Sequence, residues 1–254
     1  LDRNQPHQFA ASHALRLYHA NAIYSFIPKN GCSSLRVSLA IANGCITDLK
    51  DFNWIHKNNA TFKADLASLV TASYTFTILR CPFARLASVY LDKIVSRTPE
   101  VWQLRDSLKR TLEPEELTFK AFISALTQPT ILKSNIHWQP QVDFLVYQQY
   151  DDYFCLENFS HAVKTLQEKI NLTVIDARPL TKHGIDSLEK IEGNDFSSVS
   201  PAEIQSLKSS GQCPSPRTLY NEELIDTVKT LFKADIDLYT QLFGRQNLMF
   251  SYKK

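Results

Sequence analysis

The sequence predicts an α/β fold in which a parallel β-sheet carries helices on both faces. Three observations support this fold class: β-prone runs alternate with segments of helical periodicity, two of these runs pass directly into a helix, and no repeat or low-complexity segment interrupts the pattern. Parallel strands need long crossover connections, and helices supply them. A chain of 254 residues with 44% hydrophobic residues can bury one substantial core, so we expect a single domain over residues 1–254.

The first transition from strand to helix is the most informative segment of the chain. An apolar run over residues 22–27 stops at Pro28, a polar loop carrying Lys29 and Gly31 follows, and an apolar helical pattern begins near Ser33. Backbone amides of such a loop and the positive end of the helix dipole point at the same place, which suits a phosphate or sulfate group. The candidate anion contacts are Pro28, Lys29, Asn30, Gly31, Cys32, Ser33 and Ser34.

The second transition lies at residues 74–93. Tyr74 to Leu79 form a strand pattern, Arg80 follows at the end of that strand, and Pro82 is well placed as the first residue of a helix. Ser88 comes two helical turns later. A guanidinium grips phosphate with two hydrogen bonds and a helical serine adds a hydroxyl donor, so Arg80 and Ser88 form a second candidate phosphate site.

The other elements follow from caps and periodicity. We expect helices at residues 61–73 (capped by Thr61, with Phe62, Leu66, Leu69 and Val70 on one face), 118–126 (capped by Thr118), 158–170, 221–242 and from the capping box at Ser200, and a strand at 172–175. Residues 97–117 and 176–200 are polar and irregular, and we expect them to form loops over an acceptor site.

The order Pro-Lys-x-Gly-x-Ser-Ser at residues 28–34 resembles the 5′-phosphosulfate loop of sulfotransferases that use 3′-phosphoadenosine 5′-phosphosulfate (PAPS). A Walker A motif would need a lysine after the second glycine, whereas Lys29 precedes Gly31. The pattern Arg-x-Pro-x-x-Arg-Leu-x-Ser-x-Tyr from Arg80 is similar to the 3′-phosphate segment of the same enzymes, in which the arginine and the serine hold that phosphate. A departure is Cys81, where these enzymes usually carry Asp, Glu or Asn.

Three further segments resemble one branch of this superfamily, the carbohydrate sulfotransferases of the chondroitin 4-O-sulfotransferase type. They are His-Trp-Gln-Pro-Gln within residues 135–141, the stretch at residues 150–159 that begins with Tyr-Asp and includes Glu157, and Asp-Ile-Asp-Leu-Tyr-Thr-Gln-Leu-Phe-Gly at residues 235–244. The resemblance implies a P-loop-like three-layer sandwich, PAPS as donor with 3′-phosphoadenosine 5′-phosphate (PAP) as product, no metal, and a hydroxyl of a carbohydrate as acceptor.

The resemblance also assigns catalytic candidates. Lys29 would stabilise the charge that develops on the leaving phosphate oxygen. A general base must take the proton of the acceptor hydroxyl, and His56 and His137 both remain candidates, one by its position in the chain and one by its motif. An Asp or Glu base stays open as well. His7, His13, His19, His161 and His183 belong to no motif, and we expect them to be structural.

Composition limits the partners and the compartment. The 28 basic residues nearly balance the 26 acidic ones, so no global field attracts nucleic acid. No run of about 18 apolar residues exists, which predicts no membrane span. The five cysteines do not have the spacing of a zinc site. The Golgi enzymes that the chain resembles usually carry a Cys-x-x-Cys-like pair after the His-Trp-x-Pro-Gln segment, and residues 142–150 contain no cysteine, so the resemblance favours a reducing compartment such as a bacterial cytoplasm. Three Asn-x-Ser/Thr sequons keep the Golgi lumen open as the alternative, for a chain trimmed of its anchor.

Two other function classes compete with PAPS-dependent transfer. A P-loop-type nucleotide kinase is disfavoured by the missing Gly-Lys-Ser/Thr order. An inactive PAP-binding or glycan-binding protein is disfavoured by the presence of Lys29, Arg80 and Ser88. The acceptor and the oligomeric state are not encoded in any motif of the sequence.

Overall fold

A computed structural model describes residues 3–180 and 187–250. Its strands are β1 (Ala14–Leu17), β2 (Ala22–Ser25), β3 (Tyr74–Leu79), β4 (Asp152–Cys155), β5 (Glu189–Ile191) and β6 (Gln212–Pro214). Its helices are α1 (Gln5–Ser12), α2 (Cys32–Ala42), α3 (Leu66–Thr71), α4 (Pro82–Val89), α5 (Pro99–Ser107), α6 (Phe119–Leu126), α7 (Pro129–Leu132), α8 (Phe159–Ile170), α9 (Pro201–Ser209), α10 (Glu222–Leu231) and α11 (Lys233–Phe243).

The chain divides into two compact units, which are described separately. The first contains the described residues of 1–80 and 141–182, and the second contains those of 81–140 and 183–254. The expectation of a single domain stays a prediction.

The first unit is built on a sheet with the strand order β1-β2-β3-β4. β2, β3 and β4 run parallel, as predicted, and β1 joins the edge antiparallel to β2. Consecutive parallel strands are linked through helices, which is the reason that the carboxyl ends of β2 and β3 share one edge. The structure therefore confirms a mixed α/β architecture with a mostly parallel sheet.

Side chains of this sheet alternate between two apolar layers. Tyr24, Phe76 and Ile78 face a large core that includes buried residues of α2 and α8. The neighbouring positions Ala14 and Ile23 face a smaller cluster on the opposite side, which contains Ala64, Leu69, Val146 and Tyr147. Because successive strand residues point to opposite faces, a sheet that is apolar at both sets of positions must be covered on both sides.

The second unit packs helices around an aromatic core. Tyr90, Phe119, Phe122 and Trp138 are buried, with ring centroids 5.1–6.4 Å apart between neighbours. Its two short strands β5 and β6 are parallel and are connected through α9. After α4, the chain widens into a π-helical turn over Tyr90–Ile94, a local geometry that is often found near functional sites.

Several predicted elements are confirmed with their caps. β3 covers Tyr74–Leu79, α4 begins at Pro82, and Thr118 accepts a hydrogen bond from Ala121 at the start of α6. Asn158 precedes α8 and Ser200 caps α9 through the Glu203 amide. These signals are local, since a proline at the first helical position or a capping hydroxyl acts within one turn.

The predicted helix over residues 61–73 is wrong in its start. A 3₁₀ turn covers Asn59–Phe62, Lys63 forms an isolated bridge with Leu15, and α3 begins only after Asp65, whose carboxylate accepts from the Ser68 amide. The expected apolar face is also divided. Phe62 and Leu69 are buried, but Leu66 and Val70 are 53% and 76% exposed.

The predicted strand at 172–175 is absent, because this segment lies alongside α2 and is hydrogen-bonded to its side chains instead of joining the sheet. The Ile175 amide donates to Ser38 Oγ at 2.8 Å and the Ala177 amide donates to Ser34 Oγ at 3.1 Å.

The predicted helix over residues 221–242 is divided into α10 and α11 at Phe232, which has φ −109° and ψ 28°.

The expectation of irregular structure at residues 97–117 is wrong as well. It contains α5, which buries Val101 and Leu104 and begins with Pro99. Residues 176–200 contain a 3₁₀ turn at Arg178–Leu180 and β5, and the part at 181–186, with His183, lies outside the described residues. Over the described ranges, no helix is both long and apolar enough to cross a membrane.

Candidate active site

The predicted anion loop connects the end of β2 to the start of α2. Lys29 has a φ of 71° and Gly31, the residue before the helix, has a φ of 73°. Left-handed conformations turn the chain sharply, so the loop reverses within four residues. The first helical bond runs from the Leu35 amide to the Gly31 carbonyl at 3.3 Å. By helix geometry, the amides of Cys32, Ser33 and Ser34 before it lie outside the helical ladder, where an anion can accept from them.

Gly31 fits this position for two reasons. Its positive φ strains any residue with a side chain, and an added Cβ would lie 3.1 Å from Leu156 Cδ1 and 3.5 Å from the Phe159 ring. Leu156 lies in the 3₁₀ turn directly before α8, and Phe159 is the first residue of α8. The first turn of α2 is therefore kept close to α8 by the absence of a side chain.

Asn30 is fully buried and anchors the loop to the sheet. Its Nδ2 donates to the Ile78 carbonyl at 2.9 Å and to Gln141 Oε1 at 2.6 Å, and its own amide donates to the Ile27 carbonyl at 3.2 Å. The Asn30 amide is thus used inside the turn. Its direct contact with a cofactor stays a prediction, whereas its structural role as an anchor is clear.

Arg80 lies at the end of β3, as the sequence predicts, and reaches the loop. Its Nη1 donates to the carbonyl oxygen of Lys29 at 3.0 Å. The Arg80 backbone is bound on both sides by the Gln141 amide, with the Arg80 N–H donating to Oε1 at 3.0 Å and Gln141 Nε2 donating to the Arg80 carbonyl at 2.9 Å. The backbones of Lys29 and Arg80, which carry the two cationic side chains, therefore belong to one hydrogen-bonded framework.

The other predicted cofactor residues differ in exposure. Pro28 and Ser34 are buried. The Ser34 hydroxyl accepts a hydrogen bond from the Ala177 amide, and this bond holds the segment at Ala177 against α2. Cys32 and Ser33 are half-buried in the first turn of α2. In the second unit, Ser88 is half-buried on α4, two residues before the π-helical turn begins. Their cofactor contacts remain predictions.

His56 is the last residue of a 3₁₀ helix over Leu49–His56. The residue is exposed and its ring packs edge-on against Phe52. The segment is held to α2 by Arg36, whose guanidinium donates to the Ile55 carbonyl and, at 3.0 Å, to Asn59 Oδ1. His56 therefore sits on a fixed segment with a ring that solvent reaches.

His137 lies in a different setting, a polar cluster of the second unit. Its Nδ1 is 2.8 Å from Asn135 Oδ1 and 3.5 Å from Glu100 Oε1, and Lys93 lies 3.3 Å from the same Glu100 oxygen. Burial acts to raise the pKa of Glu100, but the Thr98 hydroxyl bond and the Lys93 charge outweigh it, so that the pKa is lowered. Glu100 thus stays ionised beside His137.

The neighbouring Trp138 is structural. It is fully buried, its Nε1 donates to the Ile131 carbonyl at 2.9 Å, and its ring packs against Phe122. His13 is also structural. It lies among the rings of Phe9, Phe26 and Phe144, and burial lowers its pKa.

From the sequence, no separate role is predicted for Gln141 or Glu100. Gln141 is the last residue of the His-Trp-x-Pro-Gln segment, and Glu100 lies in the range 97–117, for which the sequence predicts irregular structure. Within residues 3–180 and 187–250, no group of three His, Cys, Asp or Glu side chains is arranged to hold a metal ion.

Comparison with models of known protein families identifies a family that matches most of the chain. The model of the family described as the sulfotransferase family matches residues 13–240, which is most of the chain. No curated protein and no solved structure is significantly similar. The matched range includes the loop at residues 28–34, Arg80, Ser88 and both candidate histidines.

Proposed function

The chain belongs to the sulfotransferase family, and from that premise we propose that it transfers the sulfuryl group of PAPS to a hydroxyl group of a carbohydrate and releases PAP. Membership supports sulfuryl transfer in general. The identity of the donor, the class of the acceptor and the roles of individual residues are the proposal.

The observation that supports PAPS most directly is the framework that joins Lys29 to Arg80. The loop offers the first-turn amides of α2 and a lysine, which suit the 5′-phosphosulfate, and Arg80 stands at the end of the adjacent parallel strand with its Nη1 on the Lys29 carbonyl. A nucleotide with anionic groups at two ends is complementary to two cationic positions that are fixed relative to one another. These residues fit the donor.

The reaction needs two things from the protein. The acceptor oxygen forms a bond to sulfur while the bond between sulfur and the bridging phosphate oxygen breaks, so negative charge develops on the leaving PAP. Lys29 neutralises that charge. The acceptor proton goes to a base, for which His56 and His137 are the candidates. We propose no metal, because the sulfuryl group carries less charge than a phosphoryl group.

A carbohydrate acceptor is favoured by the resemblance of residues 135–141 to carbohydrate sulfotransferases of the chondroitin 4-O-sulfotransferase type. Trp138 of this segment is buried and cannot serve as a sugar platform. Trp102 on α5 is 44% exposed and lies beside Arg105, with 5.8 Å from the guanidinium carbon to the ring centroid. An exposed aromatic side chain next to a cation suits an anionic sugar.

The proposal also includes the fold type of the protein and the cellular compartment in which it acts. The two-sided sheet of the first unit supports a P-loop-like three-layer sandwich. None of the five cysteines, all of them described, is in a disulfide, which supports a reducing compartment such as a bacterial cytoplasm over the Golgi lumen.

Two experiments test this function against the alternatives. Binding of PAP, ATP and GTP, with and without magnesium, separates a sulfotransferase from a nucleotide kinase: we expect PAP to bind most tightly and magnesium to have no effect. Transfer of radiolabelled sulfate from PAPS to a panel of glycans then separates an enzyme from a protein that only binds PAP. Tight magnesium-dependent ATP binding without PAP binding would contradict the proposal.

A further inference from the structure

The side-chain amide of Gln141 occupies a central position in the framework around the anion loop. Gln141 is 1% exposed and lies at the start of a 3₁₀ turn over Gln141–Phe144. Its Oε1 accepts from Asn30 Nδ2 at 2.6 Å and from the Arg80 amide at 3.0 Å, while its Nε2 donates to the Arg80 carbonyl at 2.9 Å. One side chain thus contacts both the loop and the residue after β3.

The two bonds to Arg80 replace a strand partner. The parallel ladder between β3 and β4 ends at Leu79, paired with Cys155. The Gln141 amide has the donor and acceptor of a peptide group, so it pairs with the backbone of Arg80 as the next residue of a strand would. The conformation of Arg80 is thereby fixed at the point where its side chain leaves the sheet.

The bond to Asn30 fixes the loop in the same way. Both protons of Asn30 Nδ2 are used, one on the Ile78 carbonyl and one on Gln141. Lys29, the preceding residue, has a left-handed φ of 71°, and such a conformation persists only where neighbouring contacts hold it. The Arg80 guanidinium on the Lys29 carbonyl closes the ring of contacts.

From this geometry we propose that Gln141 is a positioning residue that keeps the anion loop and Arg80 in register, so that the two ends of one nucleotide are bound at the same time. The inference rests on the proposed function, because it takes the loop as the 5′ site and Arg80 as part of the 3′ site. Gln141 should therefore contribute more to the affinity for a nucleotide that fills both sites than to the affinity for a nucleotide that fills either site alone.

The test compares three nucleotides by calorimetry: PAP, adenosine 5′-monophosphate and adenosine 3′-monophosphate. In Gln141→Met, which keeps the length of the side chain and removes its hydrogen bonds, we expect PAP affinity to fall by about tenfold or more. Each monophosphate should lose less than about threefold, because one phosphate can still settle in its own site. The control is Gln205→Met on α9, whose Oε1 has no partner among the described residues. It should leave all three affinities unchanged.

A second variant covers the case in which Gln141→Met does not fold. Asn30→Ser removes the bond to Gln141 from the side of the loop, together with the bond to the Ile78 carbonyl, and should give the same pattern. If both single variants fold, the double variant should lose less PAP affinity than the sum of the two single losses, since both variants remove the bond between Asn30 and Gln141.

The outcomes are distinct. Equal losses for PAP and both monophosphates, unchanged affinities in both variants, or additive losses in the double variant would overturn the positioning role while leaving the proposed function intact. A wild-type protein that binds PAP no more tightly than the monophosphates would instead overturn the proposed function, and this inference with it.

Discussion

The guanidinium of Arg80 donates a hydrogen bond of 3.0 Å to the backbone carbonyl oxygen of Lys29. Lys29 has a left-handed backbone, which costs a residue with a side chain roughly 1–2 kcal/mol, and this bond helps to hold it. Arg80 therefore supports the loop in addition to its proposed contact with the 3′-phosphate. For that reason, we expect Arg80→Ala to weaken binding of PAP more than that of adenosine 5′-phosphosulfate, and to affect both.

Ser88 gives a cleaner test of the 3′-phosphate site. Ser88→Ala should weaken PAP binding by about 1.5–3 kcal/mol, the range for a charge-assisted hydrogen bond, and leave binding of adenosine 5′-phosphosulfate unchanged, because that nucleotide lacks the 3′-phosphate. Ser124→Ala on the exposed side of α6 is the matched control. Calorimetry with both nucleotides measures the difference, and equal losses would show that Ser88 does not contact this phosphate.

Two glycines that flank α2 form a matched pair. Gly31 and Gly44 have φ values of 73° and 72°, but an added Cβ at Gly31 would meet Leu156, whereas one at Gly44 would meet nothing within 4 Å. Alanine at either position should lower the free energy of unfolding by roughly 1–2 kcal/mol. Only Gly31→Ala should also weaken PAP binding, because it displaces the first turn of α2. Wild-type PAP affinity in Gly31→Ala would argue against this loop as the anion site.

The two candidate bases can be separated by kinetics. Replacement of the true base by alanine should keep PAP affinity, lower turnover by about 10²–10⁴-fold and remove the acidic limb of the pH–rate profile, since a neutral imidazole must accept the proton. The other variant of the pair His56→Ala and His137→Ala should show a smaller loss. His161→Ala, on the exposed side of α8, is the control. If neither variant loses the acidic limb, a carboxylate is the base.

The position of Glu100 predicts a pH dependence of stability. Its pKa is lowered in the folded protein, because the Thr98 hydroxyl at 2.6 Å and the Lys93 ammonium at 3.3 Å outweigh the effect of burial. A lowered folded pKa stabilises the protein above the unfolded pKa of about 4.3, and this contribution is lost as the pH falls through the folded value. The unfolding free energy of Glu100→Gln should therefore be lower than that of wild type at neutral pH, and the two values should converge in acid.

Denaturant titrations between neutral pH and about pH 3 measure this convergence. Glu115→Gln, which removes an exposed ion pair with Arg97, should change the unfolding free energy by at most about 1 kcal/mol. If the difference in unfolding free energy between wild type and Glu100→Gln stays constant or grows as the pH falls, the pKa of Glu100 is not lowered by folding.

The sequence predicted those parts of the structure whose signals are local. β3, the Pro82 start of α4 and the Thr118 cap of α6 each depend on residues within one or two turns. It did not predict the end of α10 at Phe232, where no glycine or proline interrupts the apolar pattern. It also missed α5, although Pro99 and the spacing of Val101 and Leu104 were available as signals.

The candidate site shows the same limit. The positions of Lys29 and Arg80 at two strand ends followed from the order of the elements, but the link between them did not. Gln141 lies 61 residues after Arg80 and 111 after Asn30, and hydrogen bonds between side chains so distant in sequence leave no periodic pattern. Such contacts depend on the tertiary fold.

Transfer of radiolabelled sulfate from PAPS, compared between wild type and Lys29→Ala, tests the central claim most directly. We expect wild type to label at least one carbohydrate of a glycan panel. Lys29→Ala should lose about 10²–10³-fold in turnover and much less in PAP affinity, because the lysine acts mainly on charge that develops in the transition state. Lys50→Ala, whose side chain is 88% exposed, should behave as wild type. A wild-type protein that binds PAP, yet labels no acceptor above the level of Lys29→Ala, would contradict the account.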